Sequence, residues 1–367
     1  MAPTLLALLG AFATSATATT TWTAPRRSGG HCMAPVFEPG AGRLAYTLNF
    51  HEERRIETWL APLDGGEPES VTVGPGGAGA PAAFGSAART VVHGLTWAPG
   101  TALSFKGHYV VSATGGGGEV DLYSSQVRDP LAAAPGHDGD PAWNPVDESL
   151  LVFSSARTGE GDLYLLDFAQ PGAPTRLTAI PGSSEVDAAW SPDGNAIAFV
   201  AHTDAGDNVW VMDNVRAKSE PRRLTADTAT QVRPTWAPAG PPRLAFYQYA
   251  PGSGAELDRV DLMVATPQGG VRKLVEGIVP DAQGPAWTPD GQHLVVVLDD
   301  STAFDPVARV DARSGATSRL STGTVGNRDL AVGYNRAGEV LLAVCAQGGA
   351  GGAQRDFRRA MVMPLPQ

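Results

Sequence analysis

The chain has 367 residues, of which 43% are hydrophobic, and a formal net charge of −11 at pH 7. This acidic balance argues against nucleic-acid binding, because recognition of phosphate needs a basic face. The 44 glycines and 30 prolines suit many short strands joined by tight turns, and only two cysteines are present, which excludes a disulfide-rich scaffold and a cysteine-based zinc cluster.

The first residues are predicted to be a secretory signal peptide. Residues 5–13 form an apolar run too short to span a bilayer, and residues 16–18 give a small-x-small cleavage pattern. A frayed apolar tail on a cytosolic protein is the alternative. We therefore divide the chain into a signal peptide (1–18), an N-terminal segment (19–32) and a folded domain (33–367). We expect export to the periplasm or the medium, without membrane insertion.

One phrase recurs along the rest of the chain. Residues 190–194 read Trp-Ser-Pro-Asp-Gly, and residues 287–291 read Trp-Thr-Pro-Asp-Gly. Self-similarity of this kind is typical of a repeat array, and we number its units one to seven by their leading aromatic residue. The aromatics are separated by 60, 46, 47, 46, 51 and 47 positions, and they are Phe37, Trp97, Trp143, Trp190, Trp236, Trp287 and Tyr334.

Each unit is predicted to contain four strands. The unit that begins with Trp190 shows the pattern most clearly: a tight turn follows the tryptophan, the second strand has no polar face, and a polar loop is expected at 202–208. Its predicted strands are 186–190, 196–200, 209–212 and 222–225. A strand with two apolar faces needs cover on both sides, which neighbouring units supply when they stack around an axis.

The sequence therefore predicts an all-β fold, a single β-propeller of seven four-stranded blades. Six blades are the alternative if the first copy, which lies furthest from the next, is not a blade. The last unit shows only three strands, so residues near 20–24 are expected to pair with it as an outer strand and close the ring. The repeat aromatics are expected to pack between blades, and an aromatic ligand box is the alternative.

The Trp-Ser-Pro-Asp-Gly phrase, the apolar strand after it, a third strand of the Asp-Leu-Tyr type and a terminal Arg-Leu-Thr together resemble the TolB-type propeller repeat. The resemblance covers about residues 33–367 and is strongest at 139–226 and 283–300. It implies the fold but leaves function open, because such repeats occur in periplasmic TolB, in prolyl-oligopeptidase-like peptidases and in oligogalacturonate lyases. We find no Gly-x-Ser-x-Gly nucleophile elbow and predict no TolB-like α/β domain in residues 1–32, so we assign no catalytic residue.

A candidate binding site is predicted at the channel mouth. His31, His93 and His137 lie four to six residues before the aromatics of units one to three, and we group them with Asp140 and His202. Imidazole and carboxylate groups would suit zinc, manganese or iron, whereas the alternative is polar loops around a water-filled channel. No short histidine motif supports a metal site, so we predict no metal or other cofactor. Further carboxylates fall near the same place in later units, namely Asp187, Asp281 and Asp329.

The two cysteines lie in units that a closed ring would make neighbours. Cys32 enters the innermost strand of unit one, and Cys345 follows the second strand of unit seven. An exported protein permits a disulfide between them, and two buried free thiols are the alternative.

The leading functional hypothesis is an exported, monomeric, non-enzymatic scaffold that binds a protein, peptide or glycan through its channel face. A metal-dependent, lyase-like enzyme acting on an acidic sugar is the alternative, and a subunit that gates a separate hydrolase is a third reading. Convergence of the histidines with carboxylates would favour the enzyme.

Overall fold

The computed structural model describes most of the chain between residues 22 and 366. The predicted signal peptide at 1–18 lies outside the described residues, as does the glycine-rich stretch at 74–79. The described residues are 22–24, 30–40, 42–71, 92–100, 107–114, 119–126, 129–170, 172–226, 228–249, 259–299, 305–347 and 357–366.

All regular secondary structure within these residues is β-strand, which confirms the all-β class. The strands are β1 (Trp22–Thr23), β2 (His31–Phe37), β3 (Arg43–Phe50), β4 (Arg55–Pro62), β5 (Glu69–Ser70), β6 (Val92–Trp97), β7 (Tyr109–Thr114), β8 (Val120–Ser124), β9 (Asp138–Trp143), β10 (Leu150–Ser155), β11 (Asp162–Asp167), β12 (Thr175–Arg176), β13 (Ser183–Trp190), β14 (Ile197–Thr203), β15 (Gly206–Met212), β16 (Arg222–Arg223), β17 (Thr230–Trp236), β18 (Leu244–Tyr249), β19 (Val260–Thr266), β20 (Gly269–Val279), β21 (Ala286–Trp287), β22 (His293–Leu298), β23 (Val307–Asp311), β24 (Thr317–Arg319), β25 (Val325–Tyr334), β26 (Val340–Gln347) and β27 (Arg359–Pro364).

The sequence units correspond to antiparallel sheets in which consecutive strands are neighbours. Units one, three and four form four-stranded sheets, β2-β3-β4-β5, β9-β10-β11-β12 and β13-β14-β15-β16, and unit two contributes β6-β7-β8. The second strand of each unit is largely buried. In β14 the side chains of Ile197, Phe199 and Val200 are fully buried, because one face packs on unit three and the other on unit five. The repeat thus supplies the cover that each apolar strand requires.

Units five and six depart from the predicted separation into individual sheets. β20 is eleven residues long and pairs with β19 on one side and, at its end, with β22 of the next unit, through Ile278↔Leu298 and Val279↔Val297. The outer strand of unit five therefore runs into the inner edge of unit six and gives an eight-stranded sheet. Residues 271–279 contain no proline, so the main chain keeps every donor that this double pairing needs.

The polar loop predicted at 202–208 is mostly strand. β14 continues to Thr203 and β15 begins at Gly206, so only two residues remain between the strands. The side chains here are polar, but the backbone still pairs, and His202 Nδ1 lies 2.9 Å from Asp207 Oδ1 on the facing strand. A cross-strand polar contact between His202 and Asp207 thus lies where a loop was predicted.

The N-terminal strand joins the last unit, whose sheet has the order β1-β27-β26-β25. Trp22 pairs with Val362 and Thr23 with Met361, which is the pairing expected of residues near 20–24. Unit seven also contacts unit one. Cys32 and Cys345 form a disulfide with Cα atoms 5.4 Å apart, and the Cys32 N–H donates to the carbonyl of Arg358 at 3.1 Å.

The repeat aromatics are buried between units in all but one case. The five tryptophans Trp97, Trp143, Trp190, Trp236 and Trp287 are at most 8% exposed, and Phe37 is half-buried against unit seven. Tyr334 is the exception, since 46% of it is exposed. Tyr334 therefore does not share the burial that was expected of the repeat aromatics.

Candidate ligand-binding site

A β-bulge recurs in the inner strand of successive units. In units one to five the pairing register with the second strand shifts just before the repeat aromatic. The residue three positions before the aromatic has a positive φ in six units, with values between 48° and 91°. These residues are Ala34, Gly94, Asp140, Asp187, Arg233 and Gly284. Only glycine adopts this backbone without cost, so the four larger side chains mark a strained position that the fold enforces.

These bulges form the wall of one cavity of about 540 Å³, which we call the inner-strand cavity. The first five positive-φ residues line it together with neighbours on the same strands, and Ala282 and Gln283 of unit six also contribute to the wall. A bulge turns its extra residue away from the normal alternation of the strand. The cavity therefore presents side chains that a regular strand would direct elsewhere.

The charged part of the wall comes from units three, four and five. Asp187 accepts a hydrogen bond from Arg233 Nη1 at 2.7 Å and another from the Arg233 backbone N–H at 3.2 Å. Asp140 Oδ1 lies 4.0 Å from the same Nη1. One guanidinium thus stands between two carboxylates of different exposure, since the side chain of Asp187 is 8% exposed and that of Asp140 is 38% exposed.

Burial sets the protonation of this cluster. It raises the pKa of Asp187, and the Arg233 guanidinium opposes that rise. Burial also lowers the pKa of His93, an effect that Asp140 opposes and Arg233 reinforces. His93 is therefore held neutral at neutral pH, where it can donate or accept a hydrogen bond but carries no charge.

The structure brings together only two of the predicted site residues. His93 and Asp140 line the inner-strand cavity, whereas His31, His137 and His202 are not among its lining residues. The ring of His31 packs edge-on against Phe357, with ring centres 4.8 Å apart. His137 is exposed and accepts a hydrogen bond from the Val120 N–H at 3.0 Å, and His202 pairs with Asp207 as described above. Within the described ranges, no group of three or more histidine, cysteine or acidic residues is arranged to hold a metal ion.

Two further carboxylates, the buried Asp281 and the half-buried Asp329, lie beside the cavity and link units six and seven. Asp281 accepts a hydrogen bond from the Leu330 N–H, and Asp329 accepts one from the Ala282 N–H at 2.8 Å. Burial raises the pKa of both groups, and the charge of Asp329 raises that of Asp281 further. These carboxylates form hydrogen bonds between the inner segments of neighbouring units, and neither is among the lining residues of the cavity.

Sequence reasoning missed Arg233 and the bulge that positions it. A signal was present: proline follows the positive-φ residue in units one, three, five and six, as Pro35, Pro141, Pro234 and Pro285. Proline removes a backbone donor, so it is confined to edge positions and bulges within sheets. In these four units, the proline two residues before the aromatic therefore indicates where the inner strand leaves its regular pairing.

Comparison with known proteins shows what this architecture is similar to. Residues 119–253 match the family model of the TolB beta propeller domain, so this part of the chain is similar to that domain. A search of curated proteins gave no match. No helix in the described part of the chain is long and apolar enough to cross a membrane.

Solved structures show the same fold at low sequence identity. The putative TolB from Agrobacterium tumefaciens has a TM-score of 0.52 at 21% identity, covering 74% of this chain and 89% of that chain. An oligogalacturonate lyase from Vibrio parahaemolyticus has a TM-score of 0.59 at 12% identity, covering 93% and 92%. A puromycin-hydrolyzing peptidase from Mycobacterium tuberculosis has a TM-score of 0.58 at 13% identity, but only 56% of that protein is covered. Similarity at this level establishes the fold and carries no activity.

Proposed function

We propose that this protein is an exported, monomeric β-propeller of seven blades that acts as a non-enzymatic binding scaffold. Contacts between the first and last units support a closed ring: the Cys32–Cys345 disulfide and the pairing of β1 with β27 both join the two ends of the repeat array. A closed ring gives a rigid frame, and rigid frames that present irregular segments are well suited to recognition.

The inner-strand cavity is the observation that carries this proposal. Its volume of about 540 Å³ is in the range of ligand pockets, and it combines apolar side chains with a few charged groups. A folded domain cannot enter a space of this size. The ligand is therefore a short segment of a protein, a peptide or a glycan.

The backbone of the cavity wall supports the same conclusion. A non-glycine residue in the left-handed region costs on the order of 1 kcal/mol, and Ala34, Asp140, Asp187 and Arg233 all adopt it at the cavity wall. Strain of this kind persists where it positions functional groups. Here it directs two carboxylates and one guanidinium into the same space.

A cavity-filling variant tests the proposal. Gln283 is exposed and lines the cavity, so Gln283→Trp should occupy the space that a ligand needs. Gln292→Trp, an exposed site in the same unit outside the cavity, is the matched control. A defined panel of synthetic tripeptides and short oligosaccharides is screened by thermal shift. Some members should raise the melting temperature of the wild type and of Gln292→Trp but not of Gln283→Trp. An identical response of all three proteins, or no response of the wild type, would contradict the proposal.

Export is tested separately on the full chain expressed with its own N-terminus. Intact mass of the protein recovered outside the cytoplasm should correspond to cleavage after residue 18. Retention in the cytoplasm with residues 1–18 attached would contradict this part of the proposal.

A further inference from the structure

We propose that the inner-strand cavity selects a peptide segment that carries a protonated primary amine, and that Asp140 is the group that receives it. This inference rests on the proposed function, because it names the ligand class of the same cavity. It follows from an imbalance of charge and from a division of the cavity wall into a charged and an apolar side.

The two carboxylates of the wall are not equivalent. Asp187 already has partners, since it accepts hydrogen bonds from both the guanidinium and the backbone N–H of Arg233. Among the described residues, Asp140 makes no hydrogen bond, and its one ionic contact is the 4.0 Å approach to Arg233 Nη1. Arg233 thus neutralises one carboxylate and leaves about one negative charge on the exposed one. A single cation restores the balance, and an ammonium group can donate directly to a carboxylate.

Other titratable groups near Asp140 do not supply that cation. His93 lies in the same wall but is kept neutral by burial and by the nearby Arg233. His202 acts on Asp187 and is already paired with Asp207. The unbalanced charge of Asp140 is therefore available to a ligand from the cavity.

The position of Asp140 is fixed before any ligand arrives. Its φ of 48° places it in the bulge of β9, and Pro141 follows it directly, so the backbone on that side has restricted freedom. The backbone that carries the carboxylate is therefore ordered without the ligand, which reduces the entropic cost of binding.

The cavity also has a mainly apolar side, which argues for a peptide. Units one and two contribute Met33, Val36, Ile56 and Leu95 to it, together with Thr47, His93 and Thr96. A neutral glycan would present hydroxyl groups to this surface and would leave the charge of Asp140 unmatched. A peptide offers an amine with an adjacent aliphatic side chain, which matches both sides. The amine can come from a chain terminus or from a lysine side chain.

Calorimetric titration of the full chain with three peptides distinguishes these sources. The probes are Ala-Leu-Leu amide with a free amino terminus, its N-acetyl form, and N-acetyl-Lys-Leu-Leu amide. At least one amine-bearing probe should bind about tenfold or more tightly than the N-acetyl form, because a hydrogen bond to a charged group is lost on acetylation. The tighter of the two amine-bearing probes identifies a terminal or a side-chain amine.

Two variants assign the effect to Asp140. Asp140→Asn keeps a residue that tolerates the left-handed backbone, and it should weaken amine binding by about tenfold while leaving the N-acetyl form unchanged. Asp204→Asn makes the same chemical change at an exposed position outside the cavity and should behave as the wild type. Equal melting temperatures of the variants confirm that the fold is retained.

Two results would overturn the assignment. One is equal affinity of the wild type for free and acetylated probes, and the other is an unchanged amine affinity in Asp140→Asn. If the N-acetyl peptide binds as tightly as the amine-bearing probes and Gln283→Trp abolishes that binding, the proposed function stands and only the amine class fails. If none of the three probes binds at millimolar concentration, the amine class is again overturned, and the wider peptide and oligosaccharide panel still decides the proposed function.

Discussion

Trp190 donates its indole N–H to the carbonyl of Ala142, 3.0 Å away on the inner strand of the preceding unit. Trp236 repeats this bond one unit later, to the carbonyl of Ala189 at the same distance. Trp287 is buried to the same extent, yet its indole nitrogen has no hydrogen-bond partner among the described residues. Equivalent positions in the repeat thus share burial but not hydrogen bonding.

This difference allows a matched test of the inter-unit bond. Trp190→Phe and Trp287→Phe remove the same indole ring from equally buried sites, but only the first breaks a hydrogen bond. Trp190→Phe should therefore lose about 1 kcal/mol more of the free energy of unfolding than Trp287→Phe. Urea denaturation of both variants measures the difference. Equal losses would show that packing alone decides the role of these tryptophans.

The disulfide predicts a large contribution to stability. Cys32 and Cys345 are 313 residues apart in sequence, so the bond restricts nearly the whole unfolded chain. Replacing both by alanine should lower the free energy of unfolding by about 2–5 kcal/mol. Denaturation of the oxidised wild type and the double variant gives the value. Alkylation of denatured, unreduced wild type provides the check, since modification of either cysteine would contradict the bond.

His108 predicts a loss of stability in mild acid. Its side chain is 2% exposed, and burial lowers its pKa from 6.5 to about 4. The unfolded chain takes up a proton as the pH falls below 6.5, while the folded protein does so only near pH 4. Stability is thus fully present above pH 6.5 and falls by up to about 3 kcal/mol on the way to pH 4.

The test of this prediction compares His108→Gln, which does not titrate, with His137→Gln at an exposed position. Stability is measured by denaturation at several values between pH 4 and 7. His108→Gln should lose less stability than the wild type on acidification, and His137→Gln should follow the wild type. Parallel pH curves for all three proteins would contradict the buried, neutral state of His108.

The raised pKa of Asp281 predicts a pH dependence of stability opposite to that of His108. Burial and the neighbouring Asp329 raise its pKa well above the ordinary value, so the folded protein holds a proton that the unfolded chain has already lost. This contribution is present below about pH 4 and is lost as the pH rises through the folded pKa. The Asp281→Asn variant lacks this group, so its free energy of unfolding should fall less than that of the wild type when the pH rises from 4 to 7. Denaturation from pH 4 to 7 tests this, with Asp204→Asn as the control, and an unaltered pH slope in Asp281→Asn would refute it.

Much of the architecture could be predicted from local pattern. The second and third strands are read correctly because a continuous apolar run has few alternatives once it must be buried on both faces. The pairing of the N-terminal residues with the last unit follows from a missing outer strand, and β1 occupies that place. The prediction failed at 202–208, where the strands stay paired although their side chains are polar. It also failed at β20, where one strand pairs with strands of two units.

The candidate site could be predicted only in part. Similar spacing from the repeat aromatic led to the grouping of His93 with Asp140, and both residues line the cavity from inner strands. The same reasoning grouped His31 and His137 with them, but neither lines the cavity. Position in a repeat gives the strand on which a residue lies, whereas a bulge decides the direction of its side chain.

The sequence by itself determined the period, the strand content and the burial of the tryptophans, because all three depend on apolar residues recurring at fixed intervals. Tertiary structure alone decided the composition of the cavity. Asp140 lies 47 positions before Asp187, which lies 46 positions before Arg233, and the three become neighbours only when three units stack. Their side chains point into one space because the bulge breaks the alternation of each strand, and that geometry is set by packing between units rather than by any local pattern of residues.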